Sequence, residues 1–238
     1  MKTNTDYKNA ALSALKGNWA PAVLATVVFC LFTTAIVVPA EIPMMKGALG
    51  ADTITAMANS GDINGLMDYY SSMTRWSSLS TLLGIFLYNV MVIGFSVTFL
   101  RLLTSGDNRL TANMFKVAFS NYWHKVWGMF LMGLFITLWS LLLIIPGIIK
   151  IFSYAMTPYI LEENPELSAN DAIDRSRAMM KGHKFDLFWL WLSFIGWGIL
   201  CIFTLGIGLL WLAPYMQTAE AAFYEDVKAD YELNGGLA

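Results

Sequence analysis

Long uncharged stretches alternate along the chain with short segments that carry nearly all of its charge. Three apolar runs, Trp19 to Ala40, Trp76 to Leu100 and Val126 to Ile149, contain no charged side chain. Each reaches the roughly 20 residues that a helix rising 1.5 Å per residue needs to cross a hydrocarbon core of about 30 Å. A fourth run, Ile148 to Leu161, is short, and the last, Phe185 to Ala222, is too long for one crossing. Turn signals at Pro146-Gly147 and at Gly206-Ile207-Gly208 divide these regions, because a helix in lipid reverses only at the interface or under cover of protein. The pattern predicts six spans, at about 19–40, 76–102, 126–145, 147–162, 185–204 and 207–225.

The polar segments between the runs set the expected orientation, since short cytoplasmic loops carry an excess of Lys and Arg. Lys2, Lys8 and Lys16 precede the first span, and Arg101, Arg109, Lys116 and Lys125 follow the second. Arg175, Arg177, Lys181 and Lys184 follow the fourth. The 35-residue segment from Glu41 to Arg75 holds only Lys46 and Arg75 against four acids, and is expected as an extracytoplasmic loop. Both termini are therefore expected in the cytoplasm, with Lys150 snorkelling to the outer headgroups. A fourth segment that was only re-entrant would turn the next four basic residues outward, against the charge rule.

A helical period appears before each pair of spans. Ser168 can cap one such helix, with Asp171 three residues on, Gly182 at its end, and Ala169, Ala172, Ile173, Ser176 and Met180 on one face. Asp174, Arg175, Arg177 and Lys181 lie opposite, the profile of a helix in the interface plane. Tyr7, Ala11, Ala14 and Leu15 repeat the spacing before Lys16-Gly17, as do Met114, Val117, Ala118 and Tyr122 after Thr111. A shift of 59 residues superposes His124-Lys125 on His183-Lys184 and Gly147-Ile148 on Gly206-Ile207. We infer three units, each an interfacial amphipathic helix followed by a transmembrane hairpin, in one all-α integral membrane domain over 1–238. Transporters also contain such repeats, so the repeat alone does not decide function.

Composition sharpens this picture by exclusion. Charged residues make up 13% of the chain against 57% hydrophobic, where a soluble domain carries about 25% charged residues. A soluble enzyme is excluded on that ground, and disorder with it. The balance of 15 basic against 17 acidic residues excludes a nucleic-acid-binding surface. Cys30 and Cys201 stand alone in apolar runs, and with only His124 and His183 besides them no metal-ligand spacing is present. Val38-Pro39-Ala40 loosely resembles a cleavage site, but the apolar run before it exceeds the roughly 7–15 residues of a signal core, so a retained first span is expected.

Several motifs carry a resemblance. Ile145-Pro146-Gly147-Ile148-Ile149-Lys150 and Met156-Thr157-Pro158-Tyr159-Ile160-Leu161-Glu162 resemble the uncharacterised bacterial membrane proteins grouped as domain-of-unknown-function family 975. Met179-Met180-Lys181-Gly182-His183-Lys184, Leu192 to Trp197, Leu205-Gly206-Ile207-Gly208, Pro214-Tyr215 and Phe223-Tyr224-Glu225 follow that family's pattern in order. The resemblance is strongest over Val126 to Glu225 and does not extend to Glu41–Arg75. More remotely, the family is similar to the multipass domain attached to some bacterial glycerophosphodiester phosphodiesterases. There the hydrolysis belongs to a separate barrel of roughly 250 residues, for which this chain has no room. The resemblance thus implies a module of the bacterial cytoplasmic membrane and no phosphodiesterase activity.

Candidate chemistry is sparse. Carboxylates near the spans are Glu162 and Glu220, a candidate polar cavity, with Asn89 and Gln217 as neutral polar positions. Pro158 and Pro214 are expected inside helices, where they would kink them. Lys181, His183 and Lys184 are a candidate contact for anionic lipid headgroups, against the plainer reading of positive-inside anchoring. No nucleophile has a base at readable spacing, and Glu162-Glu163-Asn164-Pro165-Glu166 resembles a helix stop rather than a metal site. Trp19, Trp76, Trp123, Trp127 and Tyr224 fit interfacial belts, while Trp189, Trp191 and Trp197 are expected to pack between helices. The expected protein has no catalytic residues, cofactor or metal, and its partners are membrane lipids and other membrane proteins. It would serve as an accessory, scaffold or lipid-interacting module. The rival is a transporter or permease built around Glu162, Glu220 and the two prolines, and a membrane-embedded lipid enzyme comes third.

Overall fold

The computed structural model describes the backbone of residues 2–49 and 51–233, with side chains described outside 36–53, 72–83 and 85. Among the described residues all regular structure is α-helical. The order is α1 (Asn4–Leu15), α2 (Trp19–Leu49), α3 (Ala51–Ser60), α4 (Ile63–Ser105), α5 (Leu110–Phe119), α6 (Tyr122–Leu142), α7 (Ile144–Tyr154), α8 (Thr157–Glu163), α9 (Ala169–Met179), α10 (Lys184–Leu192), α11 (Ile195–Phe203) and α12 (Leu209–Leu233). Residues 1–28 and 89–238 form one compact unit, and 29–88 form a second.

The smaller unit contains the whole of the segment 41–75 expected as a loop, and that segment is helical over most of its length. The helix of the first span continues to Leu49, α3 follows, and α4 starts at Ile63, well before the apolar run. Helix-favouring Ala, Met and Leu are frequent there, and no proline follows Pro43 before Pro146. The break between α3 and α4 falls at Gly61, which has φ +72°, and the Asp62 carboxylate then accepts the Gly65 N–H at 2.9 Å. Among its described side chains Ile63 and Met67 are exposed, and Phe29 meets Tyr88 at 6.4 Å between ring centroids.

In the larger unit, helices stand at the three places where the polar segments predicted them. Thr3 caps α1 in a full capping box with Asp6, a signal absent from the reading of the sequence. Ser168 caps α9 by accepting the Asp171 N–H at 3.2 Å. The expected apolar stripes are the buried ones: Tyr7, Ala11 and Leu15 on α1, Met114, Val117 and Ala118 on α5, and Ala172, Ile173 and Ser176 on α9. Gly17 (φ +82°) and Gly182 (φ +93°) take the left-handed conformation that ends α1 and the α9 turn, as glycine does at little steric cost. The helix Trp19–Ala35 then leaves α1 at 98°. α1 lies along α12, whereas α9 folds back against α6 and α8.

Four described helical stretches are long and apolar enough to cross a membrane: Phe86–Ser105, Tyr122–Leu142, Ile144–Glu163 and Lys184–Phe203. The bent pair Asn4–Leu15 with Trp19–Ala35 makes up to five. The expected sixth span, α12, is not among them. It has 25 residues, but Glu220, Glu225 and Asp226 fall within it and shorten its apolar part.

Three local expectations are corrected. The chain reverses at the extended residue Leu143 (φ −159°, ψ 139°) rather than at Pro146-Gly147. Pro146 instead sits in the first turn of α7, where its missing N–H costs nothing. Gly147 serves close approach, since a Cβ there would collide with Ser140, and Gly208 stands the same way against Cys201. The structural counterpart of Gly147 is therefore Gly208, while Gly206 (φ +85°) makes the second turn beside Leu205 (φ +53°). Pro158 opens α8 after the break at Ala155–Met156 and interrupts no helix, whereas Pro214 does lie inside α12. Finally, Trp189 and Trp197 face outward, 53% and 57% exposed, and only Trp191 of the three is packed, against Phe152 at 5.2 Å.

Candidate functional site

The end of α8 places two adjacent carboxylates in different company. Glu162 accepts from Arg101 of α4 at 2.8 Å through Oε1 and pairs with the Lys125 ammonium of α6 at 2.5 Å through Oε2. Lys125 is fully buried. Its three protons all have acceptors, since Nζ also donates to the Val117 carbonyl and, at 2.8 Å, to Ser120 Oγ. The α5–α6 turn is built for this: Asn121 takes a left-handed φ of 45°, which sets Val117 and Ser120 of the preceding turn against the start of α6. Gly128, one turn beyond Lys125, leaves room for Leu161, whose Cδ1 would lie 2.6 Å from any added Cβ. A buried ammonium of this kind is tolerable only when paired and hydrogen-bonded, and here it is both.

Glu163 turns instead toward α12, accepting from the Tyr224 hydroxyl at 2.7 Å and from Lys228 at 2.7 Å. Tyr224 stacks on Tyr159 with ring centroids 4.7 Å apart. Further along α12, Asp226 accepts from the Tyr7 hydroxyl at 2.7 Å and the Lys2 backbone N–H at 2.8 Å, tying the start of the chain to its last helix. Burial pushes the Asp226 carboxyl up, but these two donors outweigh it and hold it below the ordinary carboxylate value. Burial and the same carboxylate push the Tyr7 hydroxyl well above its ordinary range.

The two carboxylates expected to share a cavity thus keep separate contacts. Glu220 is partly buried on α12 near Trp191 and Tyr159. Glu162 belongs to the ionic group at α4, α6 and α8. The sequence shows Arg101 and Lys125 as cations flanking expected spans, but nothing in its spacing marks them, or Ser120, as partners of Glu162. Gln217, of the same helix as Glu220, has its buried Oε1 without a hydrogen-bond partner.

Lys181, His183 and Lys184 are also divided. His183 stands between two acids, Nε2 at 3.3 Å from Asp230 and Nδ1 at 3.5 Å from Asp186. Lys181 and Lys184 line a cavity of about 830 Å³ with Arg175 and Arg177 of α9 and Tyr231 of α12. A second cavity, about 520 Å³ and largely apolar, lies among Leu12, Trp19, Trp197, Trp211 and Tyr215. Among the described residues no three His, Cys, Asp or Glu side chains are grouped to hold a metal ion, and Cys30 and Cys201 are both free thiols.

An all-helical chain with four to five helices of membrane-crossing length and apolarity, its ion pairs gathered at helix ends, defines the class: it is compatible with a membrane protein. The family described as "Protein of unknown function (DUF975)" matches residues 1–157 and 141–231, and the chain belongs to that family. No curated relative and no solved structure matches it.

Proposed function

We propose that this protein is a six-span integral protein of a bacterial cytoplasmic membrane, with both termini in the cytoplasm, acting as a non-enzymatic accessory, scaffold or lipid-interacting module. The observation that carries this reading is the way charge is used at the buried cation Lys125. All three protons of Lys125 are bound and Glu162 is held by two cations, so the group joins α4, α6 and α8 and leaves none of its charge without a partner inside the protein. Outward-facing Leu, Ile, Phe and Trp along α6, α10 and α11 suit a lipid environment, as does the stretch Leu141–Ile145, which is exposed throughout. Orientation follows from the Lys and Arg excess at the ends flanked by α1, α5 and α9.

A transporter or permease is the rival, with Glu220 and Pro214 of α12 as its working parts. Purified protein in sealed vesicles separates the two. The module reading expects no solute flux above that of protein-free vesicles for a panel of ions, amino acids and sugars. Flux that is lost in Glu220→Ala, with the fold intact by circular dichroism, would establish the permease.

A further inference from the structure

The cavity beside α9 has a charge balance unlike that of the Glu162 group. Its two acids are already engaged: Asp171 accepts from Ser168 Oγ at 2.6 Å, and Asp174 pairs with Arg177 at 3.2 Å. Arg175 donates through Nη1 to Asn164 at 3.1 Å and lies 6.0 Å over the Tyr231 ring. Its Nε is buried without a hydrogen-bond partner, on a side chain that lines the cavity. Among the described residues neither Lys181 nor Lys184 has an ion-pair partner, while Lys228 and His183 nearby do. The cavity therefore keeps two ammonium groups without an ion-pair partner beside a guanidinium with one unpartnered N–H, in a volume of about 830 Å³ that falls within the range of small-ligand sites, about 300–1,000 Å³.

Its position matches its charge. Lys184 is the first residue of the membrane-length stretch Lys184–Phe203, so the cavity opens at the level where a helix of that kind meets headgroups. A guanidinium with a spare N–H beside two ammonium groups suits a phosphate, which presents several acceptor oxygens to converging donors. We infer that the cavity bounded by Arg175, Lys181, Lys184 and Tyr231 is a binding site for a phosphate-bearing anion, its source being either a phospholipid headgroup or a soluble phosphate ester. This rests on the reading of the protein as a lipid-interacting module and names the site of that interaction. His183 is not part of it, because Asp186 and Asp230 occupy both ring nitrogens.

The test uses the full chain in detergent, with phosphatidylglycerol, phosphatidylcholine and soluble glycerol 3-phosphate as probes and native mass spectrometry as the readout of occupancy. Phosphatidylglycerol should be retained over phosphatidylcholine, with its affinity about thirtyfold weaker in the double variant Lys181→Gln/Lys184→Gln, the loss expected for two cations facing an anionic headgroup. The control double variant Lys16→Gln/Lys116→Gln removes the same charge from exposed positions and should change affinity by less than about threefold, because exposed charges at a distance are screened. Binding of glycerol 3-phosphate with the same variant pattern assigns the site to a soluble ester; binding of phosphatidylglycerol alone assigns it to lipid. Equal losses in the two double variants, no loss in the first, or no binding of either phosphate probe overturns the inference. Such a result leaves the module reading intact, since that reading falls only if Glu220-dependent flux appears in vesicles.

Discussion

The ionic group around Glu162 and the cavity beside α9 contain the same kinds of residue and differ in what is left over. At Glu162, each proton of the Lys125 ammonium and both carboxylate oxygens have partners within the protein. At the cavity, the acids are engaged by Ser168 and Arg177, while Lys181, Lys184 and one N–H of Arg175 have no such partner among the described residues. Charge that is fully paired joins helices and is costly to remove; charge left over at a helix end attracts something from outside. The basic residues beside the apolar stretches therefore divide into a set paired within the protein and a set without such partners, and composition alone does not separate them.

Removing one partner from the paired group should have the largest effect. Glu162→Ala leaves Lys125 buried without its counter-charge and is expected to cost about 3–5 kcal/mol, the range for breaking a buried ion pair. The lowered midpoint of thermal unfolding in detergent measures it. Replacing both residues, as in Lys125→Met/Glu162→Leu, should recover most of that loss, because the desolvation penalty goes with the pair. A double variant as unstable as Glu162→Ala would show that the pair does not act as a unit.

Next in size is the packing beneath this group. Gly128→Val places methyls where Leu161 now lies and is expected to cost about 1–3 kcal/mol, as overpacking does. Smaller still, Tyr224→Phe removes one hydroxyl donor to Glu163 and should cost about 1 kcal/mol, and Thr3→Ala removes the α1 cap for about 1 kcal/mol. By contrast, Lys181→Gln and Lys184→Gln should leave the unfolding midpoint unchanged. A large loss of stability there would erase the distinction between the two regions.

Asp226 adds a pH dependence of known sign. Its folded value lies below the ordinary carboxylate value, so the native state binds its proton less readily than the unfolded chain. The stabilisation it contributes is complete above about pH 4, the unfolded carboxyl value, and is lost as pH falls through the lower folded value. In Asp226→Asn the acid limb of the stability profile should flatten by that amount. A variant more sensitive to acid than the parent would contradict the assignment.

Much of the helical framework was legible from the sequence because lipid-length apolar runs and polar segments of helical period leave strong signals. Tyr7, Ala11 and Leu15, or Ala172, Ile173 and Ser176, are buried as their spacing predicted. Breaks were less legible. Pro146 and Gly147 read as a turn, yet a proline fits the first turn of α7 and a glycine fits against Ser140, so both lie just inside the helix. Trp189 and Trp197 read as interior because they are large and deep in the run, but both face outward. Glu162 is visible in the sequence as a carboxylate at the end of an expected span, while its partners Arg101 and Lys125 lie 61 and 37 positions away and come together only through the packing of α4, α6 and α8. His183 was grouped with its basic neighbours by sequence, but the C-terminal turns of α12 bring Asp230 to it.

The proposed placement of both termini depends on which side of the membrane the charged helix ends face. The most direct test places single thiols at Ser60 and at Asn170, both exposed, in a chain whose Cys30 and Cys201 have been replaced. Each is then probed with a membrane-impermeant maleimide on intact and on opened bacterial cells. The account predicts labelling at Ser60 in intact cells and labelling at Asn170 only after opening. The reverse pattern, or labelling of both from one side, would contradict it.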